Sequence, residues 1–185
     1  MILHLVRHPP VASHWRQVCY GRSDPGLSRE GRAMIGPMVE KLAALRPDAV
    51  IHSDMTRTRA VAEPLARQLG LVAIAEPLWR ERDFGEWEGK RWNAIYRTTG
   101  NAMDGMIDDP HHFRPGGGET TGEMVSRVKL ASTLLPNLAS VLVVSHGGAI
   151  ACHRMIAGGM DYANLPSLIV KHGELCSQAF CLYKN

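Results

Sequence analysis

The chain begins with the stretch Ile2-Leu3-His4-Leu5-Val6-Arg7-His8, an apolar run that ends in an arginine and a histidine. Far downstream, a second apolar run, Val141-Leu142-Val143-Val144, ends in Ser145-His146-Gly147-Gly148. Both runs have the length and composition of buried strands. Because the carboxyl ends of the strands form the ligand crevice of an open α/β sheet, we expect His8 and His146 to face one pocket. This arrangement predicts a catalytic site.

Strands and helices alternate along the chain. Short apolar runs predict further strands at residues 48–53 and 71–75, in addition to the strand that ends at Ser145. Apolar residues at helical spacing predict helices after the N-cap Ser28 and at residues 56–69, 119–135 and 149–157. The alternation predicts a single α/β domain over residues 1–185, with three α/β/α layers and a mostly parallel central sheet.

Two segments carry more specific expectations. Pro37 lies inside the first predicted helix, where an interior proline costs about 3 kcal/mol, so we expect a kink or a break near Gly36. Towards the end of the chain, residues 165–170 and 175–183 are apolar runs on either side of a polar turn. This pattern predicts a hairpin of two strands.

Between residues 76 and 118 the periodic pattern is lost among tryptophans, glycines and arginines. Such a long segment inside a compact domain is typically a lid or a binding loop with short helices of its own. The run Asp108-Asp109-Pro110-His111-His112 favours a solvated loop over a metal site, because adjacent side chains point apart and no HxH or HExxH spacing occurs. We predict a lid region at about 76–118 and no metal site.

The composition is that of an ordinary globular protein. The formal charge of +3 is spread along the 185 residues, so we expect no nucleic-acid partner. Four cysteines without a CxxC pair are typical of reduced, buried thiols. The N-terminal apolar run is too short for a signal peptide, and no run approaches the roughly 20 residues of a membrane span. We therefore expect a cytoplasmic protein without a membrane partner.

Side chains suited to phosphoryl transfer lie near the predicted strand ends: Arg7, His8, Arg57, Glu81 and His146. Two guanidinium groups can bind phosphate oxygens, an imidazole can act as a nucleophile, and a carboxyl group can protonate the leaving oxygen. This set needs no metal ion or cofactor. Glu81 has an alternative interpretation, since its arginine neighbours would allow a surface salt bridge.

Five motifs occur in order along the chain. They are Leu5-Val6-Arg7-His8, Ser53-Asp54-Met55-Thr56-Arg57, Leu78-Trp79-Arg80-Glu81-Arg82-Asp83-Phe84-Gly85-Glu86-Trp87-Glu88-Gly89, Pro115-Gly116-Gly117-Gly118-Glu119-Thr120 and Ser145-His146-Gly147-Gly148. The series resembles the motifs of the histidine phosphatase superfamily, which includes cofactor-dependent phosphoglycerate mutase. The resemblance covers most of the chain and implies a phosphoglycerate mutase-like fold.

The resemblance also implies a role for each residue. His8 is implied as the nucleophile that becomes phosphohistidine, and Glu81 as the proton donor. Arg7, Arg57 and His146 are implied to bind the transferred phosphoryl group. For this chemistry we expect a neutral His8 and a protonated His146. The implied partner is a small phosphorylated substrate, and no cofactor is implied.

The chain departs from the superfamily pattern at Pro9, which replaces the usual glycine of Arg-His-Gly. Proline has no backbone N–H to offer a phosphate. The polar residues that usually follow correspond only loosely to Val11 and His14, and Ala60 and Val61 stand where Gln and Thr are common. The source of the outer phosphate contacts is therefore open.

Two stretches, residues 19–27 and residues 83–89, most resemble α-ribazole-5′-phosphate phosphatases. This likeness implies a metal-independent phosphomonoesterase that acts on α-ribazole-5′-phosphate, or a related small phosphate ester, in cobalamin biosynthesis. His14, Arg22 and Gly147 are the candidate substrate contacts. Two alternatives stay open, phosphoglycerate mutase-type phosphoryl transfer and a non-catalytic protein that binds a phosphorylated ligand. A homodimer is compatible with the sequence.

Overall fold

The computed structural model describes residues 1–180. Five strands within this range form one sheet. Its strands are β1 (Ile2–Arg7), β2 (Ala49–His52), β3 (Ala73–Ala75), β4 (Ser140–Ser145) and β5 (Leu175–Ala179). They lie in the order β3-β2-β4-β1-β5, with β5 antiparallel to β1 and the other neighbours parallel. The predicted, mostly parallel central sheet is confirmed.

Helices and turns connect the strands. The α-helices are α1 (Arg29–Ala43), α2 (Thr56–Gln68), α3 (Trp92–Thr99), α4 (Gly105–Asp108), α5 (Thr121–Thr133), α6 (Gly147–Gly158) and α7 (Leu165–Leu168). Short 3-10 turns lie at Ser13–Trp15, Pro77–Trp79, Gly85–Trp87, Gly100–Asp104, Pro115–Gly117 and Tyr162–Asn164. None of the helices in residues 1–180 combines the length and the apolar composition that a membrane span requires.

Helix ends follow local sequence signals. Ser28 caps α1, because its hydroxyl accepts a hydrogen bond from a backbone amide of the first turn. Thr120 and Glu123 form a capping box at the start of α5. Gly70 follows α2 with a φ of 70°, a conformation that glycine adopts without strain.

The predicted hairpin is wrong, and α1 has no break near Gly36. α1 runs unbroken past Gly36 and Pro37, and Pro37 is exposed, so the carbonyl that loses its intrahelical partner can bond to water. Residues 165–168 form α7 instead of a strand, and β5 pairs with β1 instead of closing a hairpin. The end of the second predicted hairpin strand, residues 181–183, lies outside the described residues.

Helices cover both faces of the sheet. Successive side chains of a strand point to opposite faces. In β4, Val141 and Val143 pack in a cluster with residues of α5 and α6, whereas Leu142 and Val144 pack in a cluster with residues of α1 and α2. All four side chains are fully buried. This alternation confirms the predicted three-layer α/β/α architecture.

Residues 76–118 form short helices and turns, among them α3 and α4. Gly85 and Gly116 pack against each other with positive φ angles of 52° and 59°, and a Cβ atom at either position would collide with backbone of the facing turn. Trp87 and Ile95 are buried in a separate small cluster. The segment therefore has a packed core of its own beside the sheet.

Candidate active site

The register of β1 and β4 brings two predicted site residues together. Arg7 is paired with Ser145, so His8 and His146 follow at neighbouring strand ends. The amide of His8 donates a hydrogen bond of 3.0 Å to the carbonyl of Ser145. The two imidazole rings are buried, with centroids 5.1 Å apart and planes inclined at 62°.

The hydrogen bonding of His8 leaves one ring nitrogen free. Its Nδ1 lies 2.7 Å from the carbonyl oxygen of Pro9. A carbonyl only accepts, so Nδ1 carries the proton and Nε2 keeps its lone pair. Burial lowers the pKa of His8 well below 6.5, and the Arg57 guanidinium lowers it further. His8 is therefore a neutral imidazole with a free nucleophilic nitrogen.

His146 stands at the end of a chain of hydroxyl groups. Its Nε2 lies 2.7 Å from Oγ of Ser53, which lies 2.8 Å from Oγ1 of Thr58. The Thr58 hydroxyl donates to the carbonyls of Ser53 and Met55, so the chain can accept a proton from Nε2. Ser53 and Thr58 were not among the predicted site residues, although both belong to or adjoin the motif around Arg57.

The charge state of His146 differs from the expectation. Burial is the main cause that lowers the pKa of His146, and Arg57 and His8 lower it further. Both histidines are thus driven toward the neutral form. An anion between them would oppose these effects, because a nearby negative charge favours the imidazolium.

The two arginines are fixed by backbone carbonyls, and Nη1 of Arg57 also pairs with the Asp24 carboxylate at 3.3 Å. Nη1 of Arg7 donates to Val170 at 2.7 Å. Arg57 is fully buried, and its two terminal nitrogens donate to Ser23 at 2.8 Å and to Gly21 at 2.7 Å. The Nε atoms of both arginines are buried without a hydrogen-bond partner. Each guanidinium is held in place with a donor still unused.

Glu88 organises the loop that Arg57 contacts. Its carboxylate accepts the backbone amides of Arg22 at 2.8 Å and of Ser23 at 2.5 Å, and also the Ser23 hydroxyl at 2.5 Å. These three donors from the loop, together with the amide of Phe84 at 3.2 Å, make four on one carboxylate and fix the loop beside the arginine. The sequence contained this residue in a motif but gave no reason to assign it a role.

We call the group formed by Arg7, His8, Arg57 and His146 the centre. Glu81 approaches this centre from the segment that follows β3. One carboxylate oxygen accepts the amide of Arg82 at 2.9 Å, and the other accepts the amide of Gly148 at 3.0 Å. A Cβ atom at residue 148 would collide with this carboxylate, and one at Gly147 would lie 3.1 Å from Cζ of Arg7. The glycine pair therefore lets the acid and the arginine approach the start of α6.

A cavity of about 490 Å³ adjoins this centre. Arg7, Glu81 and Gly147 are among the residues that line it. Most of its wall is apolar and is formed by Phe84, Trp92, Met103, Met106, Ile107, Met124, Leu165, Pro166 and Ile169. A phosphate held at the centre would have an apolar chamber beside it.

Other predicted residues lie elsewhere. His14 is exposed in a 3-10 turn next to Trp15, and Arg22 forms ion pairs with Asp83 at 3.3 Å and with Glu119 at 3.5 Å. The cavity wall formed by the described residues contains neither His14 nor Arg22. Their predicted contact with substrate stays a prediction.

Comparison with known proteins gives the family. A model of the histidine phosphatase superfamily (branch 1) matches residues 3–181. The chain belongs to the histidine phosphatase superfamily. The curated relatives include two proteins named "Probable phosphoglycerate mutase GpmB". The Erwinia tasmaniensis protein is 28% identical over 151 residues, 80% of this chain and 70% of that protein. The Salmonella paratyphi C protein is 29% identical over 153 residues, 81% and 71% of the two chains.

Solved structures share the fold of this superfamily member. The α-ribazole phosphatase of Shigella flexneri has a TM-score of 0.81 at 21% identity, over 96% of this chain and 89% of that chain. A mycobacterial glucosyl-3-phosphoglycerate phosphatase complexed with VO3 has a TM-score of 0.83 at 24% identity, over 95% and 91% of the two chains. The fold is thus phosphoglycerate mutase-like, and the family is one of phosphatases and phosphoryl-transfer enzymes.

Proposed function

We propose that this protein is a metal-independent phosphomonoesterase that works through a phosphohistidine at His8. The observation that carries the proposal is the free Nε2 of a neutral His8 beside His146, Arg7 and Arg57. Charge spreads over the equatorial oxygens of a phosphoryl group in the transition state, and fixed cations stabilise that charge. The arginines supply them without a metal ion.

The reaction has two halves. First, the lone pair of His8 Nε2 attacks phosphorus, the ester P–O bond breaks, and the leaving oxygen takes a proton from Glu81. Second, Glu81 takes a proton from water, the water oxygen attacks phosphorus, and the P–N bond breaks. The products are an alcohol and inorganic phosphate, with both residues restored. Glu81 lines the same cavity as the phosphate-binding candidate Arg7, and this supports its role at the leaving oxygen.

The cavity favours an apolar or aromatic alcohol as the leaving group. The rings of Phe84 and Trp92 lie in its wall and can pack against a flat heteroaromatic base. α-Ribazole-5′-phosphate carries such a base, and the Shigella flexneri neighbour is named an α-ribazole phosphatase. We therefore propose α-ribazole-5′-phosphate, or a small ester of similar shape, as the substrate.

A phosphoglycerate mutase-type transfer is the second candidate, because the curated relatives carry that name. A mutase must hold a substrate with a carboxylate in addition to its phosphate, and this requires further cations. Arg82 lines the cavity but donates to the Glu119 carbonyl and lies over the Phe84 ring. Arg22 is paired with Asp83. The two ion pairs of Arg22 with carboxylates support hydrolysis over transfer, whereas Arg82 is a cation of the cavity wall that a substrate carboxylate could contact.

The test combines a covalent label with a substrate panel. Mixing with substrate and quenching in alkali should leave an acid-labile phosphoryl group on wild-type protein and none on His8→Ala, because a phosphorus–nitrogen bond is acid-labile. Turnover of α-ribazole-5′-phosphate should exceed that of 3-phosphoglycerate in kcat/KM. A label at another residue overturns the mechanism, and binding without turnover of any ester would favour a non-catalytic ligand-binding protein.

A further inference from the structure

The loop before β5 is fastened to the end of β1. The amide of Gly173 donates to the carbonyl of Arg7 at 3.0 Å, and the amide of Arg7 donates to the carbonyl of Glu174 at 3.2 Å. Gly173 has a φ of 74°, which lets the chain turn at this point. These bonds fix His172 next to the nucleophile, with ring centroids of His172 and His8 5.3 Å apart at 60°.

The Nε2 atom of His172 is buried without a hydrogen-bond partner. Buried polar atoms are normally satisfied, so an unsatisfied one calls for a missing partner. Three other nitrogens at this centre share the condition, the Nε atoms of Arg7 and Arg57 and the Nδ1 of His146. Those three belong to residues implied to bind the phosphoryl group. His172 likewise has a buried ring nitrogen without a hydrogen-bond partner, next to His8.

The electrostatic setting agrees with this grouping. Burial lowers the pKa of His172 to about 4, and Arg7 and Arg57 contribute to the decrease. In turn, His172 is one of the groups that lower the pKa of His8. His172 therefore faces the same cationic centre as the nucleophile, and it carries a neutral imidazole that can donate one N–H.

We propose that His172 is a further ligand of the transferred phosphoryl group, donating from Nε2 to a phosphoryl oxygen. It offers a donor at a centre where Pro9 has no amide to give. The proposal rests on the phosphatase function proposed above. Inorganic phosphate, which is the reaction product, is the probe that tests it directly.

The first experiment follows ring nitrogens by NMR in wild-type protein labelled with ¹⁵N-histidine. Inorganic phosphate should shift the His172 Nε2 signal together with the signals of His8 and His146, and His172→Phe assigns that signal by its loss. If phosphate shifts the His146 signal and leaves His172 unmoved, the proposal is wrong. This readout does not need turnover, so it separates a failure of this proposal from a failure of the proposed activity.

The second experiment measures inhibition by inorganic phosphate in two variants of His172. His172→Phe keeps a ring beside His8 but lacks the donor, and it should weaken phosphate binding about 10–100-fold. His172→Gln places an amide N–H near the Nε2 position and should recover most of the loss. His112→Phe, a change of an exposed histidine outside the cavity wall, is the matched control. Equal phosphate affinity in wild type and His172→Phe would overturn the proposal.

Discussion

The amide of Gly148 donates a hydrogen bond of 3.0 Å to one carboxylate oxygen of Glu81, and the other oxygen fills the space that a Cβ atom of residue 148 would need. The carboxylate of Glu81, the proposed proton donor, and the start of α6 are therefore fitted to each other. In the proposed mechanism Glu81 must reach the leaving oxygen. The absence of a side chain at Gly148 therefore bears on the position of the proposed acid.

Gly148→Ala should displace the Glu81 carboxylate. We expect kcat on alkyl phosphates to fall by about 10²-fold, the lower end of what a general acid contributes, with KM nearly unchanged. Steady-state kinetics measure both constants. Gly36→Ala is the matched control, since residue 36 is helical, exposed and without neighbours within 4 Å of an added Cβ. An unchanged kcat in Gly148→Ala would show that the fit is irrelevant to catalysis.

Glu81→Gln tests the acid itself. Alkyl phosphates should lose about 10²–10⁴-fold in kcat, because an alkoxide leaves poorly without a proton. The loss on p-nitrophenyl phosphate should be much smaller, since nitrophenolate needs no proton. Rates on the two substrates from one protein preparation give the comparison. A uniform loss on both, with an intact fold, would remove Glu81 from the mechanism.

Arg57 should control the titration of His8. Burial and then Arg57 lower the pKa of His8 well below 6.5, so the ring stays neutral until the pH falls far below that value. Arg57→Gln removes a cation that opposes protonation, so the pKa of His8 should rise and the ring should gain its proton at higher pH. Arg57→Lys keeps the charge and should keep the low pKa. NMR titration of the His8 ring measures its pKa in each variant. Identical titration curves for wild type and Arg57→Gln would show that Arg57 does not lower the pKa of His8.

Chelation should have no effect on turnover. Arg7 and Arg57 are the positive charges next to His8, so the proposed mechanism has no step for a metal ion. Incubation with EDTA followed by assay of phosphate release tests this point. A loss of activity that added Mg²⁺ or Zn²⁺ restores would refute the metal-independent mechanism.

The sheet and the inner residues could be predicted because their signals are local. Val141 to Val144 is a continuous apolar run, and a histidine after such a run must emerge at the sheet edge. Leu165 to Leu168 was misassigned because a short apolar run does not distinguish a strand from a buried helical turn. Pro37 does not break α1, because it lies on the exposed side of the helix, where water can bond to the carbonyl that loses its partner.

The placements of Glu88 and His172 could not be predicted, for a different reason. Glu88 is separated from its loop by more than sixty residues, and the bond to Ser23 depends on how two irregular segments pack. His172 reaches the centre only because β5 pairs antiparallel with β1. Neither relationship has a periodicity or a spacing within the chain that would reveal it.

The position of β1 between β4 and β5 affects how the protein is made. Because β1 precedes both of its hydrogen-bonded neighbours along the chain, it has no partner strand during synthesis until β4 has been made, and its second edge stays unpaired until β5 follows. Pairings between such distant segments carry a large loop-closure cost and slow the folding of a domain. Until then hydrophobic β1 has unpaired edges, so a nascent chain is exposed to aggregation, and His8 and His146 do not yet lie side by side.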